Sequence, residues 1–407
     1  MNRLAIAWRN VSRNRRRSLL TGGVVAFGFA AIALAGGFMA QSFQGLREST
    51  IRSGLGDLQF ANPREFSGSE DTTLQFGLKD ADHLVARIAA DPAVKVVMPR
   101  IDFYGLVTAG TRSIPFVGIG VDATAEAKGS DIPSTVTSGR WLLDGDQAVV
   151  LGSGLAQAMN AKVGDSVTLL ATTADGTLNA VDATVVGIAD VRIKELNDRY
   201  LATTIAVAQQ LLGVSGVVSK ISVLLHQSAD VRQTATRLVT SLHATGADIA
   251  VKRWDQLAAF YHQVRMLYIG IFGFMGSVLI VVVFLATINT TWMTVTERTR
   301  EIGTLRAMGA RSRRVVDNFV VEGILLGLSG SLAGAALALV VSAALNASGI
   351  VLPPPPGSTR GFPIHVQFFP LSYAIATGAM LLTLAIASLF PARRAARASI
   401  VESLAHV

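Results

Sequence analysis

No cysteine occurs in the 407 residues, which excludes disulfides, thiol catalysis and cysteine-held metal. The lack does not identify a compartment, because a domain of ordinary size folds without a disulfide. Charge is scarce as well: 16% of residues are charged, against about a quarter in an average soluble domain. The six histidines are scattered, and neither a pair at helical spacing nor an HExxH run is present, so no zinc pattern exists. A phosphate loop of the form GxxxxGK[ST] is missing. The nearest run, residues 213–220, has the wrong spacing, so the chain does not bind ATP by that route. The G-x-S-x-G elbow of serine hydrolases is missing too, and Gly152-Ser153-Gly154 does not fit it. Nothing here supports catalysis on this chain, and the carboxylates of its middle part read as solvated surface.

What the chain has in excess is apolar surface: 50% hydrophobic residues and a mean hydropathy of +0.46. Length alone would permit two or three soluble domains, but the apolar residues concentrate near the N-terminus and in the last third. Four runs reach the roughly 20 residues needed to span a bilayer. They lie at 18–40, 266–293, 319–346 and 370–390. The first is too long for a signal-peptide core and reads as a retained helix. The segment before it, 1–17, reads as a basic amphipathic helix with Leu4, Trp8 and Val11 on one face.

The net charge of +8 could suggest nucleic acid, but that reading needs a basic face on a soluble module. The arginines cluster instead at the ends of the apolar runs. They fill the N-terminus, the 294–318 segment (Arg298, Arg300, Arg306, Arg311, Arg313, Arg314) and the 391–407 tail (Arg393, Arg394, Arg397). The positive-inside rule then places both termini and 294–318 in the cytoplasm. The domain at 41–265 and the proline-rich loop at 347–369 fall outside it. That loop, with its run from Pro353, reads as a stiff polyproline spacer.

The 41–265 stretch has soluble composition. Short β-like runs occur at 57–61, 95–98, 101–110, 113–122, 163–172, 181–190 and 220–226, with an Asp175-Gly176 turn marking a hairpin. Helices are expected at 81–90, 154–160 and 229–246, the last closed by Gly246. From Trp254 the chain is expected to run as one helix into the second span. The expected fold is therefore four transmembrane helices plus an α+β extracytoplasmic domain.

Within the spans, Glu322 is the one carboxylate. Charge within a span is costly, so Glu322 is expected to snorkel to the nearby cytoplasmic end or to pair with a nearby arginine such as Arg314. A proton relay would need several ionisable groups at depth. Glycines at 270, 273 and 276, and the pairs Gly323-xxx-Gly327 and Gly330-xxx-Gly334, are small-residue patterns that favour close helix contact in lipid. The 297–308 segment has helical periodicity, with Ile302, Leu305 and Met308 apolar and Gly309 a terminator. Such a helix suits docking by another protein, or a membrane surface where arginines meet anionic lipid.

The run from Glu297, Arg298, Glu301, Ile302 and Gly303 through Leu305, Arg306 and Gly309, followed by Glu322-Gly323, closely resembles the signature of the FtsX/MacB/LolC-type permease family. The opening Trp8-Arg9-Asn10 and the ending Pro391-Ala392-Arg393-Arg394 are similar to that family's. So is the order of one span, a large domain and three spans. The resemblance implies a non-catalytic permease subunit of an ABC transporter in a bacterial inner membrane. ATP and Mg would be held by a separate cytoplasmic ATPase that docks on the 294–310 helix. It also implies a second permease copy, identical or related, and a two-lobed periplasmic core domain. The substrate would be a lipoprotein, lipid or amphiphile, with a periplasmic carrier as a further partner. Gly56-Asp57-Leu58-Gln59 and the Pro353 to Gly357 loop resemble a lipoprotein-release-type or an uncharacterised exporter subgroup. The alternative from the same family is a signalling role, switching a periplasmic partner such as a cell-wall hydrolase.

Overall fold

A computed structural model describes residues 15–67, 74, 76–191, 193–244, 248–353 and 361–397. Most of the expected 1–17 helix, Gly246, most of the proline run and the tail beyond 397 lie outside the described residues. The chain divides into two compact units. One comprises described residues within 1–44, 264–351 and 363–407, the other those within 45–263 and 352–362.

The first unit holds four helices long and apolar enough to cross a membrane. They run Arg15–Thr50, Ala259–Glu297, Ser312–Ser348 and Pro370–Arg397, each extending beyond its apolar run. Val25, Phe29 and Ala33 of the first meet Val283 of the second, Ala338 of the third and Ala376, Met380 and Leu384 of the fourth in one buried cluster. The second helix is the least covered: 6% of its most apolar stretch is buried, against 28–33% for the other three. It therefore offers lipid, or another chain, most of its surface.

The second unit is α+β. Its ten strands are β1 Leu58–Ala61, β2 Val94–Ala109, β3 Arg112–Val121, β4 Val136–Gly139, β5 Ala148–Gly152, β6 Ser166–Thr172, β7 Leu178–Ala189, β8 Tyr200–Thr204, β9 Lys220–Leu225 and β10 Ala250–Arg253. They pair in the order β10-β1-β9-β2-β3-β8-β5-β7-β4, with β6 bridging β2 and β7. Only β3–β8 and β5–β7 are parallel. The Asp175-Gly176 hairpin joins β6 to β7 as its turn chemistry requires. One large apolar cluster includes Phe60, Ile101, Phe103, Leu169, Leu201 and Val223. A smaller one gathers Val121, Leu142, Val150, Tyr200 and Ala202.

Two expectations are corrected. The runs at 95–98 and 101–110 form one strand, β2, that passes through Pro99. The Arg100 carbonyl accepts from the Ser219 N–H at 2.9 Å on the β9 side, so Pro99 faces the other side. There β3 has not yet begun, since its pairing starts at Arg100–Val121, and no ladder donor is missed. The helix from Trp254 is not continuous either. A short helix, Trp254–Leu257, ends at Ala258, whose φ of −85° and ψ of 63° are not helical, and the long helix starts at Ala259.

Chain entry into the sheet explains the Gly56-Asp57 run. The Asp57 N–H donates to Val223 at 2.8 Å, its carbonyl accepts from Trp254 at 3.1 Å and its carboxylate accepts from the Leu225 N–H at 2.9 Å. Burial pushes the Asp57 carboxyl above its ordinary range, and the Leu225 N–H opposes this. Arg47 lies over the Trp254 ring at 5.4 Å, so the helix end at 45–50 and the chain at 254 rest on the same part of this unit.

Candidate functional site

The segment between the second and third spans is an elbow built from two backbone breaks. The second span ends at Glu297. Arg298, at φ −102° and ψ 13°, turns the chain into a separate helix, Thr299–Ala307. The expected 297–308 helix is shorter because the span itself takes up Glu297. Its C-terminus is a complete Schellman motif: the Gly309 N–H donates to Arg306 and the Ala310 N–H to Leu305, both at 3.0 Å. Gly309 has φ +88°, a conformation that strains any side chain. Gly309→Val is expected to cost about 1–3 kcal/mol locally. Amide exchange at Ala310 should then quicken about tenfold or more, and unchanged protection there would refute this account of the turn.

The eight residues singled out in this segment divide into two groups. Glu297 receives a bidentate pair from Arg17 of the first helix, at 2.6 and 2.7 Å. Arg298 is 8% exposed, and its Nη1 donates to Glu322 at 3.5 Å. Ile302 and Gly303 are buried. Ile302 packs with Val295, Val315, Phe319, Ala392 and Ala396. Glu301, Leu305 and Gly309 are exposed together with Met308, and Arg306 is half-buried. The helix thus buries one edge on the third and fourth spans and presents the other to its surroundings.

Glu322 is partnered by Arg298 and not by the expected Arg314. Arg314 lies eight positions earlier on the same helix, about 12 Å along its axis. The elbow folds Arg298 back onto Glu322 instead. Beside that carboxylate is a cavity of about 30 Å³ lined by Thr21, Thr287, Thr290, Thr291, Thr294 and Ser388 among others, so all four spans contribute. The hydroxyls of Thr287, Thr290 and Thr294 donate to carbonyls one turn back on their own helix. They therefore present lone pairs, not protons, to their surroundings. Thr21 donates to Thr290 at 3.1 Å. A second hollow of about 140 Å³ lies along the elbow helix between Trp292, Ile302, Pro391 and Arg394, where Arg394 sits over the Trp292 ring at 5.0 Å.

The glycines of the third span sit at helix crossings. A Cβ on Gly323 would run into Ser388, and one on Gly327 would lie 3.0 Å from Leu381, both on the fourth span. A Cβ on Gly330 would lie 2.7 Å from Val25, and one on Gly334 2.6 Å from the Ala26 carbonyl, both on the first. Gly270, Gly273 and Gly276 of the second span have nothing within 4 Å of such a carbon.

Arg17 stood in the sequence only among the basic residues of the N-terminus, with nothing to tie it to Glu297, and the threonine cluster carried no mark. The one signal was indirect: a lone carboxylate in an apolar span favours a cation beside it, and the fold supplies Arg298, 24 positions away. Among the described residues no group of three or more histidine or carboxylate side chains comes together to hold a metal.

Residues 18–241 match the MacB-like periplasmic core domain family, and residues 273–400 match the FtsX-like permease C-terminal family. The chain is 26% identical over 343 residues to the lipoprotein-releasing system transmembrane protein LolC of Xylella fastidiosa, covering 80% of this chain and 81% of that one. It is 26% identical over 279 residues to an ABC transporter permease of Methanocaldococcus jannaschii, covering 66% and 65%. The crystal structure of the periplasmic region of MacB from Actinobacillus actinomycetemcomitans aligns with a TM-score of 0.39 at 15% identity, over 51% of this chain and 93% of that one.

Proposed function

The chain belongs to the FtsX-like family of ABC transporter permeases that carry a MacB-like periplasmic core domain, and from that membership we propose that it couples ATP hydrolysis on a separate cytosolic subunit to movement of its periplasmic domain. Its elbow helix, Thr299–Ala307, is the docking element for that subunit. The reading places both termini in the cytosol of a bacterial inner membrane and pairs the chain with a second permease copy. The substrate class is a lipid-anchored or amphiphilic molecule, drawn from the membrane toward the periplasm. The likeness to a lipoprotein-releasing protein supports that class.

The observation that carries this reading is the two-sided elbow helix. One edge is anchored by Ile302 and closed by the Gly309 turn, while Glu301, Leu305 and Met308 face outward. A partner gripping the outward edge moves the anchored edge with it. Replacing Glu301 and Arg306 together, as E301A/R306A, should weaken co-purification of the nucleotide-hydrolysing subunit about tenfold or more while membrane insertion persists. Unchanged co-purification together with unchanged stimulated hydrolysis would reject the docking role.

A further inference from the structure

We propose that Arg298 and Glu322 form a yielding latch that sets the angle of the elbow helix against the third span, as positioning residues and not as docking contacts. The inference rests on the coupling reading of that helix and adds the joint through which its movement reaches the bundle.

Four observations meet at this pair. Arg298 is the residue at which the chain turns from the second span into the elbow helix. Its side chain is 9% exposed and that of Glu322 is 15% exposed, so a docking protein cannot reach the pair without unpacking the elbow. The contact is 3.5 Å, longer than the roughly 2.7–2.9 Å of a closed charge-assisted bond. Arg298 Nη2 is buried without a partner among the described residues.

The cavity beside Glu322 supplies what a yielding contact needs. Its 30 Å³ hold about one water, and its threonine hydroxyls accept from that water because their own protons are engaged. Isolating either charge of a buried pair in a dry interior is strongly unfavourable. Water entering between Arg298 and Glu322 would replace the lost bond at little cost. The contact can then lengthen as the elbow is pushed and close again when it is released. A fully apolar joint would lack this restoring attraction, and a tight dry pair would resist opening.

The absence of native cysteine allows a direct test on the full chain in lipid nanodiscs. Spin labels at Met308→Cys and Leu332→Cys, both exposed, report the distance from elbow to third span. The wild-type pair is expected to give one narrow distribution. E322Q and R298Q should each broaden it about twofold or more, while E322D, which keeps the charge, should stay narrow. The same variants, co-reconstituted with the nucleotide-hydrolysing subunit, should lose about fivefold or more in kcat for ATP. The KM for ATP and the docking affinity should be unchanged, with E322D restoring the rate. Distributions of unchanged width in E322Q and R298Q would overturn the latch. So would a fall in docking affinity that matches the fall in rate. If the wild-type chain stimulates no hydrolysis, the coupling reading fails, and the spin-label widths still decide the latch.

Discussion

Glu126→Ala is expected to destabilise the α+β unit by about 3–5 kcal/mol, because it leaves a buried guanidinium without its counter-charge. Arg100 on β2 is 4% exposed and Glu126, on the helix Ala123–Gly129, is 1% exposed. Arg100 Nε donates to Glu126 at 3.2 Å, and a second nitrogen donates to the other carboxylate oxygen. The guanidinium also lies directly against Gly54, at φ +101°, in the turn that follows the first long helix. A side chain on Gly54 would occupy the guanidinium's place. The Arg52 carbonyl accepts from the Asp131 N–H at 2.9 Å and ties the same turn to the unit. The loss should therefore appear as a lower unfolding midpoint and as early proteolysis near 50–56. The double variant R100M/E126L removes both charges and should recover most of the stability. A single variant within about 0.5 kcal/mol of the wild type, the range of an inert surface change, would disprove the account. Tyr200 belongs to the same neighbourhood: burial pushes its phenol up, with the Glu126 charge adding to the shift.

Gly334→Leu should do comparable damage in the membrane unit. The Ala26 carbonyl and the Phe29 Cβ already stand 2.6 and 2.8 Å from where a Cβ would be. A leucine there must push the first and third spans apart, an overpacking cost of about 1–3 kcal/mol or more. Between helices in lipid that cost falls on packing itself, because lipid tails are as apolar as the helix surface. The expected result is loss of a monodisperse species in detergent. Gly273→Leu is the matched control, since nothing lies within 4 Å of its added carbon. It should be tolerated in the isolated chain. If Gly273→Leu proves as harmful as Gly334→Leu, the second span packs on another chain at that glycine.

The glycine pattern shows how far sequence reading reaches and where it stops. All three glycine sets are small-residue patterns in an apolar helix, yet those of the third span touch neighbours and those of the second do not. Small residues permit close approach, but only the placement of other helices decides whether it happens. The elbow behaves similarly. Helical periodicity and Gly309 were legible because both are local: apolar spacing and a positive φ follow from neighbouring residues. The roles of Glu297 and Arg298 were not, since their partners lie 280 and 24 positions away.

Hydropathy run lengths and local β and turn patterns determined from the sequence alone the four helices long and apolar enough to cross a membrane among the described residues, and the α+β domain. These properties depend on composition and on contacts within a few residues, where solvent transfer and chain geometry decide the outcome. Which charge meets which was decided by the tertiary structure: Arg298 with Glu322, Arg17 with Glu297, and Arg100 with Glu126 beneath Gly54. A buried charge must find a partner, but its identity depends on which distant segments the fold brings together, and one-dimensional spacing carries no record of that.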